Sequence, residues 1–359
     1  MYPILLAILA CGPSGTLITG TENDSTDDPP TKDQDTDSTK DTDSTTTATD
    51  TATSDTDTDS DSDSTLVEYD CATIPAQTLG AVQMPSARGY HDVEFHEDGT
   101  IFGASDWGGG AILKSDYAGN VSVFNPSSAT IQQIVKMPDG DYAVANDSLG
   151  IQRLDAATGG VSPIYPNIYA YGLIWGPDDM LWAADQQRVW RVDPATGDAT
   201  EVVPSNALLD GAPRVIAFNL DYTKLYMGTY LGSQGRIYAV DLDANYDPVG
   251  GPYVFATGVG DGEYHDTMGV DICGNLYVAD FWTASLHRID RNGDRNLLVQ
   301  WNFDWNGRYG HGMEWGTGED GWSDHAIYMS QPYFDNNVVE IDIGVPSRDW
   351  PDGYAINLP

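Results

Sequence analysis

From Leu66 onward, apolar and polar residues alternate over short stretches separated by Gly- and Asp-rich turns, with no long run at helical period. That is the pattern of half-buried strands joined by tight connections. Its clearest form is Gly269-Val-Asp-Ile-Cys-Gly-Asn-Leu-Tyr-Val-Ala-Asp280. Val270 and Ile272 lead into a turn at Cys273-Gly274-Asn275, and a second apolar stretch returns and ends on a carboxylate. The unit predicts a β-hairpin.

The unit recurs at intervals of roughly 40 residues early in the chain and roughly 50 later, the spacing of a blade-like repeat. Six copies begin at Val93, Ile134, Leu173, Val215, Gly269 and Met313. Their second strands end at Ser105, Asn146, Asp185, Thr229, Asp280 and Gln331. A third strand and an Asp-rich turn often follow, as in Arg188-Val-Trp-Arg-Val-Asp193 and Leu286-His-Arg-Ile-Asp290. Four strands in each of six repeats predict an all-β fold, a six-bladed β-propeller. The segment 76–84 precedes the first copy and is expected to supply the outer strand that closes the ring against the last blade. The Asp-rich turns are read as hairpin chemistry. Even Asp241-x-Asp243-x-Asn245-x-Asp247 has Tyr246 where the sharp turn of a calcium loop wants glycine.

The first part of the chain has a different character. Residues 1–10 form a short apolar run ending Ile8-Leu-Ala10 before Cys11, the pattern of a signal peptide with a lipobox, so Cys11 is the expected lipidation site. Residues 12–65 are expected to be a disordered acidic linker. Between 21 and 65, fifteen Asp and Glu stand against two Lys, a net −13 of the chain's −39. Such a segment has nothing to bury and repels itself. The propeller is assigned to 66–359. No later apolar stretch approaches the ~20 residues that span a bilayer, so a lipid would be the only membrane contact. Gly12, rather than Asp, follows Cys11. The expected location is therefore the cell envelope, as an outer-membrane lipoprotein or a secreted protein. The acidic balance excludes nucleic acid as partner. Cys71 and Cys273 either pair or remain two thiols.

In a propeller the start of each innermost strand and the end of each second strand surround one mouth of the central channel. Just before the first strands stand His91, Gln132, Tyr171, Arg214, Asp266 and His311. At the ends of the second strands stand Ser105, Asn146, Asp185, Thr229, Asp280 and Gln331. None of the twelve is apolar, which predicts a lined polar pocket. His91, Asp266 and His311 come from blades adjacent in the closed ring and are the candidate ligands of a divalent metal, calcium or zinc. Arg214 is the candidate to orient a carbonyl or anionic group, and Tyr171 to stack or donate a proton, with Asp266 beside them as the third candidate catalytic residue. Gln132, Asn146, Asp185, Asp280 and Gln331 are candidate ligand-binding residues.

The copies, above all Gly269-Val-Asp-x-x-Gly-Asn-Leu-Tyr-Val-Ala-Asp280, resemble the six-bladed propellers of the gluconolactonase/regucalcin-like superfamily over about residues 76 to 345. The resemblance implies a top-centre divalent metal held by Glu, Asn and Asp, which activates water or a substrate carbonyl for lactone hydrolysis. Asp266 stands at the family's Asp, but His91 stands at its Glu and Arg214 at its Asn. The residue types here also resemble those of the peptidylglycine amidating lyase propeller, which joins histidine-bound zinc to Arg and Tyr. The sequence thus points to a top-face pocket for a small polar ligand, with lactonase-like hydrolase or lyase activity. The alternative is a non-catalytic surface module that binds protein or glycan.

Overall fold

In a computed structural model of the chain, described for residues 67–74, 81–84, 91–105, 110–128, 130–146, 148–301, 310–331, 337–349 and 354–357, the expected hairpins become blades. The expected signal peptide at 1–10, Cys11 and the expected linker at 12–65 lie outside the described residues. Blade one runs Val93–Phe95, Ile101–Ala104, Gly110–Ser115 and Val121–Ser128, each strand antiparallel to the next. Blades two to five repeat this order from Ile131–Lys136, Gly172–Trp175, Ala212–Phe218 and His265–Val270 outward. Blade six starts at Met313–Trp315, and its fourth strand is Ala81–Met84, paired to Asn337–Asp342. The strand expected within 76–84 therefore closes the ring. Among the described residues no helix is long and apolar enough to cross a membrane.

The first turn of each blade explains why these stretches fold as hairpins. The backbone closes from His96 to Thr100, from Met137 to Asp141 and from Asp271 to Asn275. The fourth residue of each turn is Gly99, Gly140 or Gly274, all at positive φ, where a Cβ would be strained. Blades three and four place Asp179 and Tyr222 there instead, both near φ 58. The outer turns are built by carboxylates. Asp243 accepts from the N–H groups of Asn245 and Asp247, and Asp290 from those of Asn292 and Asp294, so these aspartates are Asx turns as expected.

Each sheet has apolar residues on both faces, and the described residues form six buried clusters, one at each junction between blades. Trp182 packs edge-on against Phe218 between blades three and four. Phe95 meets Trp322 and Tyr328 between blades one and six, so the last junction is packed like the others. At the end of the channel opposite the mouth, the first and last described strands pair. Val67–Asp70 pairs in parallel with Tyr354–Asn357, and Cys71 forms a disulfide with Cys273. Of the two readings left open for those cysteines, the structure has the bridge. Arg348 donates its backbone N–H to Val270 and its guanidinium to the carbonyl of Phe218, which carries the C-terminal segment across that end.

Candidate functional site

The mouth is shaped by β-bulges. In blades two, four and five the innermost strand carries one extra residue where it begins to pair: between Ile131 and Gln133, between Pro213 and Val215, and between His265 and Thr267. The extra residues are Gln132, Arg214 and Asp266. A bulged residue leaves the ladder's alternation and is re-aimed by the local bend. That places Arg214 and Asp266 against each other although neighbouring blades hold them.

Four of the predicted residues meet. Arg214 grips Asp266 through Nε at 2.8 Å and Nη2 at 2.7 Å, both on Oδ1. Asp266 Oδ2 lies 3.1 Å from His311 Nε2, and that nitrogen lies 3.1 Å from His91 Nδ1, the two imidazole rings meeting edge to face. All four side chains are buried. Burial, and then the neighbouring imidazole and guanidinium, push His91 well below its usual range; burial and Arg214 do the same to His311, so both rings are neutral at pH 7. Burial lifts Asp266 to about 6 against the opposing pull of Arg214.

Aromatic rings enclose this polar centre. Arg214 lies 4.0 Å over the ring of Tyr171, 5.1 Å over Tyr264 and 5.6 Å over Tyr230. From Tyr264 the arc continues to Trp282 and Phe281, and Phe281 reaches His311. Sequence reasoning found Tyr171 and missed the other four. The available signal was their place beside the ring positions: Tyr230 follows Thr229, Phe281 and Trp282 follow Asp280, and Tyr264 lies two residues before Asp266.

The second ring does different work. Asn146 Oδ1 accepts from the N–H groups of Ser148 and Leu149. Asp185 accepts from Gln187, Arg188 and the indole of Trp190, while Asp280 accepts from Thr283 and Gly262. These three were expected to bind ligand; in the structure each places one oxygen on the N–H groups of the turn after its second strand, because Asn or Asp at a strand end readily closes an Asx turn. Gln132 Oε1 and both amide atoms of Gln331 are buried without a hydrogen-bond partner among the described residues. His265, next to Asp266, is structural. Its Nδ1 accepts from the Thr229 N–H at 2.8 Å and its Nε2 donates to the Val259 carbonyl at 2.9 Å.

The trio His91, Asp266 and His311 is assembled, yet as arranged it does not form a metal cage. Two nitrogens of Arg214 occupy Oδ1 of Asp266, a fixed positive charge beside any cation that Oδ2 would hold, and the imidazoles meet edge to face. Among the described residues no group of three or more His, Cys, Asp and Glu is placed to hold a metal ion.

Between this cluster and the opposite end lies a channel cavity of about 480 Å³. Asp92, Glu94, Glu314, Lys136, Trp315 and Arg348 are among its lining, and none of the four paired mouth residues is. Asp92 accepts from the Ile134 N–H at 2.7 Å, Glu94 from that of Phe95 and Glu314 from that of Trp315. Burial raises all three carboxyls, Glu94 to about 8.

The ring of six four-stranded blades defines a six-bladed β-propeller, and its structural neighbours are gluconolactonase/regucalcin-like proteins. A gluconolactonase from Xanthomonas campestris superposes with a TM-score of 0.61 at 16% identity, over 78% of this chain and 94% of that one. A calcium-binding protein, regucalcin, from Agrobacterium tumefaciens gives 0.56 at 18%, over 77% and 97%. An auxiliary nutrient binding protein from Bacteroides thetaiotaomicron gives 0.54 at 12%, over 77% and 74%. At these identities the likeness establishes the fold. No protein-family model matches the sequence, and no curated protein matches it.

Proposed function

We propose that the mouth binds a small polar molecule through a carbonyl group and acts on it as a lactonase-like hydrolase or lyase. The observation that carries this reading is the convergence of Arg214, Asp266, His311 and His91 from four blades into one contacting cluster under an aromatic arc. Arg214 supplies a permanent charge able to polarise a carbonyl oxygen. Neutral imidazoles supply proton acceptors, and Tyr171, against the guanidinium, supplies a hydroxyl donor. Neighbours of the same fold include a gluconolactonase and a nutrient binding protein, which suits small-molecule binding at this fold. A metal-assisted version, with calcium or zinc at His91, Asp266 and His311, would use Asp266 Oδ2, the oxygen that faces His311, beside the Arg214 charge held on Oδ1.

Isothermal titration of wild-type protein and His311→Ala against lactones, esters and sugars tests the reading, with elemental analysis alongside. Saturable binding that His311→Ala abolishes without loss of fold supports it. No saturable heat with any compound would leave the alternative, a non-catalytic module for protein or glycan. Stoichiometric calcium or zinc lost in a His91→Ala/His311→Ala pair would favour the metal-assisted version. Export and lipid anchoring at Cys11 are part of the same proposal. Mass spectrometry of the mature N-terminus checks them, since a chain beginning before or after Cys11 would contradict lipidation.

A further inference from the structure

The cavity below the mouth has the build of a second site. At about 480 Å³ it falls within the roughly 300–1,000 Å³ of small-molecule pockets, and it reaches solvent, because Lys136, Asp179 and Asp349 line it and are exposed. Trp175 and Trp315 end the innermost strands of blades three and six, which stand opposite each other in a ring of six, so an indole lines each facing wall. Asp92, Glu94 and Glu314 share the space beside them. Burial raises each carboxyl and a neighbour raises it further: Glu314 acts on Asp92, Asp92 on Glu94 and Glu94 on Glu314. Among the described residues none of the three forms an ion pair. The pull of Lys136 on Glu94 is outweighed by burial and Asp92. Arg348, the other cation of the lining, is taken by Asp349, by the Phe218 and Asn219 carbonyls and by the ring of Tyr222. Glu314 Oε1 accepts from the Trp315 N–H at 2.9 Å, and its Oε2 accepts from no described residue.

The backbone does not account for these acids. Glutamine at 94 and 314 would accept the same N–H groups of Phe95 and Trp315 without the mutual repulsion. An occupant with positive charge relieves that repulsion, and an anion would add to it. A single metal ion does not fit, because no group of three or more His, Cys, Asp and Glu among the described residues is placed to hold one. The remaining class is a cation on a carbon frame, with N–H groups for the carboxylates and an apolar body for the indoles, whose faces attract ammonium. We propose that the lower channel is a second binding site, for an organic ammonium ion whose nitrogen meets Glu94 and Glu314 and whose apolar body lies between Trp175 and Trp315. The site is independent of the mouth, which stands or falls on its own titrations.

Calorimetric titration of the full chain at pH 8 tests this with phenethylammonium and two probes of similar shape, uncharged 2-phenylethanol and anionic phenylacetate. Wild type is expected to bind one phenethylammonium per chain, at least about tenfold more tightly than 2-phenylethanol, and no phenylacetate. The Glu94→Gln/Glu314→Gln pair keeps both backbone acceptors, so its Tm should equal or exceed that of wild type. It should lose about tenfold or more in phenethylammonium affinity and leave 2-phenylethanol unchanged. Trp175→Ala should weaken both compounds, and His311→Ala neither. Absence of saturable phenethylammonium binding, binding no tighter than that of the alcohol, or undiminished binding to the glutamine pair overturns the proposal. So does loss in His311→Ala with retention in the glutamine pair, which would place the ammonium in the mouth.

Discussion

The two halves of the central channel solve the same problem in opposite ways. In the mouth a buried carboxylate, Asp266, is answered by a guanidinium and lies against imidazole. Below it, Asp92 and Glu94 are buried and Glu314 is half-buried; each accepts from a backbone N–H group and has its carboxyl raised by burial. One half keeps its charges by pairing them; in the other, burial pushes the carboxyls toward the protonated form, Glu94 to about 8. Paired, oriented groups can act on a ligand, whereas the lower carboxyls are tied to backbone, Glu94 and Glu314 to the next residue's N–H and Asp92 to that of Ile134 in the neighbouring blade. The difference therefore separates two kinds of chamber along one axis.

Removing a partner in the mouth should have the largest effect. Arg214→Ala leaves Asp266 buried and unpaired and is expected to cost about 3–5 kcal/mol, read from denaturant unfolding. Asp266→Asn with Arg214→Met should recover much of that loss, since neither charge then remains. At the far end, Cys71→Ser or Cys273→Ser opens a bridge spanning 202 residues and is expected to cost about 2–4 kcal/mol. Dithiothreitol should lower Tm in wild type and leave either variant unmoved.

Glu94→Gln should act in the opposite sense, by about 1–2 kcal/mol. Glu94 is lifted from 4.5 to about 8, so the folded protein holds a proton that the unfolded chain has released. Its contribution is therefore present in full below about pH 4.5 and declines as pH rises toward 8. Glutamine has no proton to lose, so the variant should match wild type at pH 4 and exceed it at pH 8. A gain that is the same at both values would mean that ionisation of Glu94 is not its cause. Smallest of all is the stability change in Leu231→Gly, near zero or slightly favourable, because glycine suits a residue held at φ 57.

Much of this was legible in the sequence, for identifiable reasons. Turn residues such as Gly99, Gly140 and Gly274 set the register of each hairpin, and register assigned His91, Tyr171, Arg214, Asp266 and His311 to one mouth. What spacing cannot carry is the partner each side chain finds. Asn146, Asp185 and Asp280 sit at equivalent positions, but the residues after them offer N–H groups within reach, so they close turns. The bulges that re-aim Arg214 and Asp266 are a property of pairing between strands and leave no mark in the order of residues. Glu94 and Glu314 were hidden in apolar strands, where alternation assigned them only a face. Tyr230, Tyr264, Phe281 and Trp282 read as ordinary strand-end aromatics until Arg214 was seen among them.

The most direct measurement compares the two halves for the same ligand. Calorimetric titration at pH 7 with whichever lactone, ester or sugar binds wild type, on wild type, His311→Ala and Glu94→Gln of equal folded content, separates mouth from lower channel. The account predicts saturable binding in wild type and Glu94→Gln and its loss in His311→Ala. Binding that survives in His311→Ala and disappears in Glu94→Gln would contradict it and move the site into the lower cavity.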